Sequence, residues 1–178
     1  MDKKAYYITT PIYYPNSNLH IGNVYTSVIA DVLKRYKTLR GFDTYLTTGT
    51  DEHGQKIMNV ALSHGAKPQD YVDKIAGETK VLLKKLDIDY DSFVRSTDPK
   101  HEENVKKFFQ YLYDKGDIYK GKYDGYYCES CESYFTESQL EDGNCPDCGR
   151  AVDHHLEESY FFRLSKYTDK LKELFKDH

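Results

Sequence analysis

Tryptophan is absent from this chain, cysteine is confined to one short window, and no apolar run approaches the roughly 18 residues needed to cross a bilayer. Each absence narrows the field. Without such a run, no membrane-spanning helix is expected. Positive charge is not in excess either: 25 Lys and Arg against 29 Asp and Glu leave a formal net charge of -4. That balance excludes a general polyanion-binding surface and confines any RNA contact to a local patch. The start, Met1-Asp2-Lys3-Lys4, has no apolar secretory core, so the cytoplasm is the expected compartment. All four cysteines lie between Cys128 and Cys148. In a reducing compartment, paired C-x-x-C units read as metal ligands before they read as disulfides. There is no internal repeat and no low-complexity segment.

What is present reads as globular: 178 residues, 39% hydrophobic and 30% charged, with 18 tyrosines carrying most of the aromatic content. That length suits one ordinary domain, or one domain with a small insert. Residues 5–10 alternate as a strand. An amphipathic stretch then runs to about Leu39, with apolar residues at Tyr25, Val28, Ile29, Val32, Leu33, Tyr36 and Leu39. Lys34, Arg35, Lys37 and Arg40 sit where basic residues complement a helix end. Thr44 to Thr48 reads as a second strand stopped by Gly49, and Gln55 to His64 as a short helix closed by Gly65. Pro68 starts a helix with Tyr71, Val72, Ile75, Ala76, Leu82, Leu83 and Leu86 as its apolar face. Ser92 to Arg95 is a third strand. Pro99 to Lys115 is a helix with Val105, Phe108, Phe109 and Leu112 directed inward. Strand–helix alternation of this kind predicts a parallel α/β sheet. After Gly116 the character changes to a Gly- and Tyr-rich stretch, the cysteines, a strand-like Ser159 to Phe162, and an amphipathic Lys166 to Phe175. The uncapped finish leads us to expect a chain that stops before its fold does.

Three constellations carry chemistry. The loop from Pro11 to Asn23 joins a strand to a helix and brings His20 and Gly22 to the first turn. Backbone N–H groups at a helix start attract phosphate, and glycine permits close approach. Tyr13 and Tyr14 are either core aromatics or lining for an apolar side-chain site. Second, Gly49-Thr50-Asp51-Glu52-His53-Gly54 lies at the carboxyl end of the second predicted strand, where ligands bind in open α/β sheets. A carboxylate there can hold a cationic group such as a substrate ammonium; alternatively Asp51 or Glu52 merely caps the next helix. Third, Cys128-x-x-Cys131, thirteen residues, then Cys145-x-x-Cys148 has the spacing of a four-thiolate zinc knuckle. Four thiolates leave no open position, so the expected Zn²⁺ is structural, one per chain. Gly143 and Gly149 flank the second pair where positive φ is needed. His154 and His155 are nearby rival ligands that a full cysteine set makes unnecessary. His64, His101 and His178 carry no site signal.

Together these elements resemble the N-terminal part of the methionyl-tRNA synthetases, within the class I aminoacyl-tRNA synthetases. The resemblance covers essentially the whole chain, on His20-Ile-Gly-Asn23, Gly49 to Gly54, and the single knuckle followed by Glu157-Glu-Ser-Tyr-Phe-Phe162. It implies a Rossmann-like α/β catalytic domain whose first half spans residues 1–115. A connective insert follows over 116–178, with the knuckle at about 126–152. It further implies ATP-dependent activation of L-methionine to methionyl-adenylate and transfer to tRNA(Met), with ATP and Mg²⁺ as substrate. His20, Gly22 and Asn23 match the ATP signature, with His20 and Asn23 at the reacting phosphate. Ile12 and Tyr14 match the methionine pocket, and Asp51 matches the carboxylate that pairs with the amino group. Asn23 replaces the signature's usual histidine, so it can donate a hydrogen bond but carries no charge. The Lys-Met-Ser-Lys-Ser loop, the second half of the catalytic fold and the anticodon-binding domain of that family have no counterpart here, and a separate C-terminal half is a further expected partner. Two rival readings stay open: a non-catalytic zinc-ribbon module that binds nucleic acid or protein, and another class I ligase or nucleotidyltransferase.

Overall fold

In the computed structural model, residues 3–16 and 19–176 are described; Ser17 and Asn18 of the first loop, and His178, lie outside them. The chain forms two compact units, Met1–Glu102 and Glu103–His178.

In the first unit the strands Ala5–Thr9 (β1), Asp43–Thr50 (β2) and Ser92–Arg95 (β3) form a parallel sheet in the order β1-β2-β3. The registers run Ala5↔Asp43 to Thr9↔Thr47, and Thr47↔Ser92 to Thr50↔Arg95. Parallel neighbours need crossovers. The helix Ile21–Leu39 (α1) makes the first, and Gln55–Ser63 (α2) with Pro68–Lys85 (α3) makes the second. The central β2 is the most enclosed strand, with Leu46, Thr48 and Thr50 buried. Gly49 is obligatory within it: a Cβ there would lie 1.8 Å from the Val94 carbonyl oxygen of β3. Two apolar clusters flank the sheet. Ile57 and Ala61 of α2 meet Tyr71, Val72 and Ile75 of α3; Tyr13, Leu83 and Ile88 form the other, with Leu19 and Phe93 against it. Full burial of a side chain such as Leu83 contributes about 2 kcal/mol.

The face that α1 buries differs from the one its periodicity indicates. Val24, Ser27, Ala30, Asp31 and Lys34 are buried, whereas Tyr25, Val28, Ile29, Val32, Leu33, Tyr36 and Leu39 are exposed. Small side chains let the helix approach the sheet, and charge pairs fill the rest of the contact. Lys34 Nζ lies 3.0 Å from Asp89 and 2.9 Å from Asp91. Asp31 accepts from the Asp89 backbone N–H at 2.9 Å and from Arg35 Nε at 2.6 Å. Lys34 therefore holds the loop before β3 rather than complementing a helix end in solvent. Burial works against its charge, but the hydrogen bonds to Asp91 and Asp89 outweigh that and raise its pKa.

The second unit is antiparallel. Ile118–Cys128 (β4) lies between Ser133–Phe135 (β5) and Asp153–Phe162 (β6), and its ladder with β6 runs from Ile118↔Phe162 to Tyr127↔Asp153. The helix Pro99–Asp114 (α4) crosses the division between the units, and Thr168–Lys176 (α5) ends the described chain. Contrary to expectation, α4 buries no residue; Val105, Phe108 and Phe109 are exposed. Within the second unit it meets the sheet through rings, Phe109 and Tyr113 edge-on to Tyr160 at 5.3 and 6.0 Å. Leu112 is half-buried, while Val105 and Phe108 stay exposed. The hub of this unit is polar. Asp117, with no exposed side-chain surface, accepts from Lys166, Tyr167 and Lys115. Its backbone bonds to Leu112 and Arg163, so it joins α4, β4 and the 3-10 turn Leu164–Tyr167.

Candidate functional site at the carboxyl edge of the parallel sheet, and a thiol cluster

Parallel strands send all their carboxyl ends to one edge. There the loop after β1 is stitched to the end of β2: Tyr13 N–H donates to Gly49 O and Asp51 N–H donates to Tyr13 O, each at 2.8 Å. On the β3 side, Ser96 N–H donates to Thr50 O at 3.1 Å. The backbone thus brings Ile12 and Tyr14 beside Asp51. Alternation along this loop divides the side chains. Tyr13 is buried, its hydroxyl hydrogen-bonded to Ser27, and burial pushes that hydroxyl above its ordinary pKa. Tyr14 is half-buried against the α2–α3 cluster with Lys56 over its ring, and Ile12 is exposed. Tyr13 is therefore a core aromatic, and Tyr14 is the tyrosine left for a pocket.

The same loop ends at the start of α1, where the side chains do the capping. His20 Nδ1 accepts from Gly22 N–H at 3.1 Å, and Asn23 Oδ1 accepts from His20 N–H at 3.0 Å. In the neutral ring this hydrogen bond keeps the proton on Nε2. Gly22 suits the arrangement, since a Cβ there would press to 3.0 Å on the imidazole. His20, Gly22 and Asn23 are thus one small unit. The loop that leads to it leaves β1 at the carboxyl edge of the sheet, the edge that also carries Asp51. The Gly22 N–H thus has an acceptor within the chain, the imidazole.

The two carboxylates at the end of β2 have opposite surroundings. Asp51 is exposed. Glu52 is buried and takes both arms of Arg95, Nε at 2.8 Å and Nη2 at 2.9 Å, together with the hydroxyls of Thr50 and Thr97. Arg95 extends to Asp73 of α3 at 2.6 Å. The hydrogen bond it donates to Glu52 raises the Arg95 pKa, and the hydrogen bond from Arg95 lowers that of Asp73. Neither Asp51 nor Glu52 caps α2; its N-cap is Gly54, at φ 124, without a side-chain bond. Arg95 and Thr97 escaped sequence reasoning because they lie 43 and 45 residues from Glu52. The available signal was the third strand itself, whose end a parallel sheet brings beside β2.

The thiols of Cys128, Cys131, Cys145 and Cys148 form a separate site in the second unit, all within 4.8 Å of one another. Cys128 and Cys148 approach to 3.6 Å, Cys131 and Cys145 to 3.8 Å. A tetrahedral ion with metal–sulfur bonds of about 2.3 Å sets sulfurs about 3.8 Å apart, so the four can hold a metal ion. The knuckle turns use the left-handed backbone expected at Gly143 (φ 77) and Gly149 (φ 70). As free thiols, Cys148, Cys131 and Cys145 are unlike. The Arg150 backbone N–H brings Cys148 down to about 7, whereas its hydrogen bond to Cys148 pushes Cys131 up to about 12, and burial raises Cys145. His154 is paired with Asp124 at 2.7 Å, and His155 rests on the Tyr127 and Tyr134 rings; neither belongs to the cluster.

Comparison with known proteins accords with this geometry. A family profile described as tRNA synthetases class I (M) matches residues 6–156. A methionine–tRNA ligase of Clostridium tetani is 58% identical over 171 residues, which cover 96% of this chain and 27% of that protein. The Mycobacterium tuberculosis methionyl-tRNA synthetase in complex with methionyl-adenylate superposes with a TM-score of 0.89 at 37% identity, over 98% of this chain and 35% of that one. A LeuRS in a ternary complex from Agrobacterium radiobacter gives 0.79 at 25% identity, over 96% of this chain and 22% of its own. The chain thus spans little more than a quarter of the length of the curated relatives it matches. With its parallel sheet, loaded carboxyl edge and four-thiol knuckle, the chain belongs to the class I tRNA synthetases, in the (M) family.

Proposed function

We propose that this chain supplies the first half of the amino-acid-activating domain of a methionine–tRNA ligase, with residues 1–115 in the catalytic fold and 116–178 as its connective insert. In that reaction the carboxylate oxygen of methionine attacks the α-phosphorus of Mg·ATP, a new P–O bond forms and pyrophosphate leaves; the methionyl group then forms an ester with a ribose hydroxyl of tRNA(Met) as AMP leaves. The observation that carries this reading is the backbone bond from the exposed Asp51 to Tyr13, in the loop that runs on to the side-chain-capped helix start at His20. Asp51 takes the substrate ammonium. The Nε2–H of His20 and the side-chain amide of Asn23, whose Oδ1 is already engaged, donate to phosphate or ribose. Gly22 gives the nucleotide room. Stabilisation of developing charge by fixed donors is the main task, with little proton transfer. Ile12 and the half-buried Tyr14 form an apolar and an aromatic wall for a thioether.

The four cysteines would hold one Zn²⁺, which contributes structure and no open coordination position. Thiols kept unpaired in a metal-type cluster also accord with a reducing, cytoplasmic setting. Calorimetry with methionine, leucine and cysteine tests the substrate. We expect heat of binding from methionine, and about a tenfold loss in Asp51→Asn from removal of one charged hydrogen bond. Equal binding of leucine would point to another class I ligase. Salt-dependent RNA binding that survives both His20→Ala and Asp51→Ala, without methionine binding, would favour a non-catalytic zinc module.

A further inference from the structure

Glu52 stands next to the carboxylate assigned to substrate, yet nothing remains on it for a ligand. Its side chain has no exposed surface. Oε1 accepts from Thr50 at 2.5 Å and from Arg95 Nε at 2.8 Å; Oε2 accepts from Arg95 Nη2 at 2.9 Å and from the Thr97 hydroxyl. A carboxylate offers about four acceptor directions, and all are filled. Its backbone N–H is also held, by Ser96 Oγ at 2.7 Å. One residue earlier, the Asp51 N–H is held by Tyr13 O at 2.8 Å.

Asp51 is thus fixed on both flanks while its own side chain projects into solvent. A bidentate guanidinium–carboxylate pair sets position and angle together, which a point charge cannot do. Replacing a buried ion pair by apolar packing is often neutral for stability, so the fixed geometry of the pair is the property that matters here.

We propose that Glu52 and Arg95 are positioning residues that fix the Asp51 carboxylate at the end of β2, where it receives the ammonium group of an α-amino acid. The proposal rests on the substrate reading given above. Glu52 makes no contact with the substrate; it acts through the backbone of the residue before it. Arg95 ties that carboxylate to β3 and, through Asp73, to α3.

The test uses the 178-residue chain with Arg95→Lys and Glu52→Gln, which keep size and, for lysine, charge, but lose the fork. Two readouts are needed. The first is hydrogen exchange at the Asp51 and Glu52 amides, expected to speed up about tenfold or more in both variants while the amides of β1 stay protected. The second is the preference for L-methionine over its desamino analogue, 4-(methylsulfanyl)butanoate, measured by calorimetry. That preference should fall about tenfold in both variants, as in Asp51→Asn. Asp73→Asn, which removes only the outer arm, should keep it.

Faster exchange with an unchanged preference would reduce the pair to a structural role and overturn the proposal. Unchanged exchange would overturn it whatever the ligand does. A wild-type chain that binds both compounds equally would instead defeat the substrate reading itself. Should Arg95→Lys fail to fold, as judged by loss of β1 protection, Glu52→Gln carries both readouts.

Discussion

The two units of this molecule solve the same problem with different materials. The first buries two apolar clusters around a parallel sheet and adds charge pairs at Lys34 and Glu52. Among the described residues, the buried hydrophobics of the second are Ile118, Phe135 and two of its cysteines. It relies on the β4–β6 ladder, a thiol cluster and the Asp117 hub. The first unit can therefore carry an open, solvated edge because its core is elsewhere. The second gathers four thiols that can hold a metal ion, and binding free energy at a site of that kind adds to folding free energy.

Removing one thiolate should separate the units most sharply. In Cys145→Ser, amide protection over residues 126–152 should be lost and metal content should fall from about one per chain, with the first unit unchanged. Elemental analysis and hydrogen exchange read both outcomes; full metal in the variant would contradict the four-thiolate assignment. The reciprocal change is Leu83→Ala, which empties a fully buried position in the first unit. It should cost about 2–5 kcal/mol in denaturant unfolding of that unit while metal content stays the same. Smallest at neutral pH is the effect of acid on the hub. Hydrogen bonds from Lys166 and Tyr167 hold Asp117 well below the usual carboxylate range. A lowered pKa contributes stability that is complete above the unfolded value of about 4 and disappears as pH falls toward the folded one. The advantage of wild type over Asp117→Asn at the Arg163 amide should thus be constant from pH 7 to 5 and shrink below about 4. A difference that grew on acidification would refute the hub's ionised state.

Sequence reading was strongest where local rules decide. Ser92–Arg95 has the expected bounds, and α2 and α3 begin where expected, at Gln55 and at Pro68. It was weaker where partners are remote. The Tyr- and Gly-rich stretch after Gly116 lacked a clean alternation, yet β6 pairs with it over ten positions and makes it a strand. The apolar row on α1 gave the right element but not its buried face, since periodicity reports amphipathicity without naming which surface meets the sheet. At the site, the His20 and Asp51 corners were legible as motifs. The contrast between exposed Asp51 and buried, Arg95-paired Glu52 was not, because Arg95 comes from another strand.

The approach of β2 to β3 has a consequence for how this edge can vary. With the Val94 oxygen occupying the space any Cβ at position 49 would need, that position has a one-letter alphabet. A larger residue would wedge the two strands apart just ahead of Thr50 and Asp51, so the acidic corner is under a steric constraint that has nothing to do with its charge.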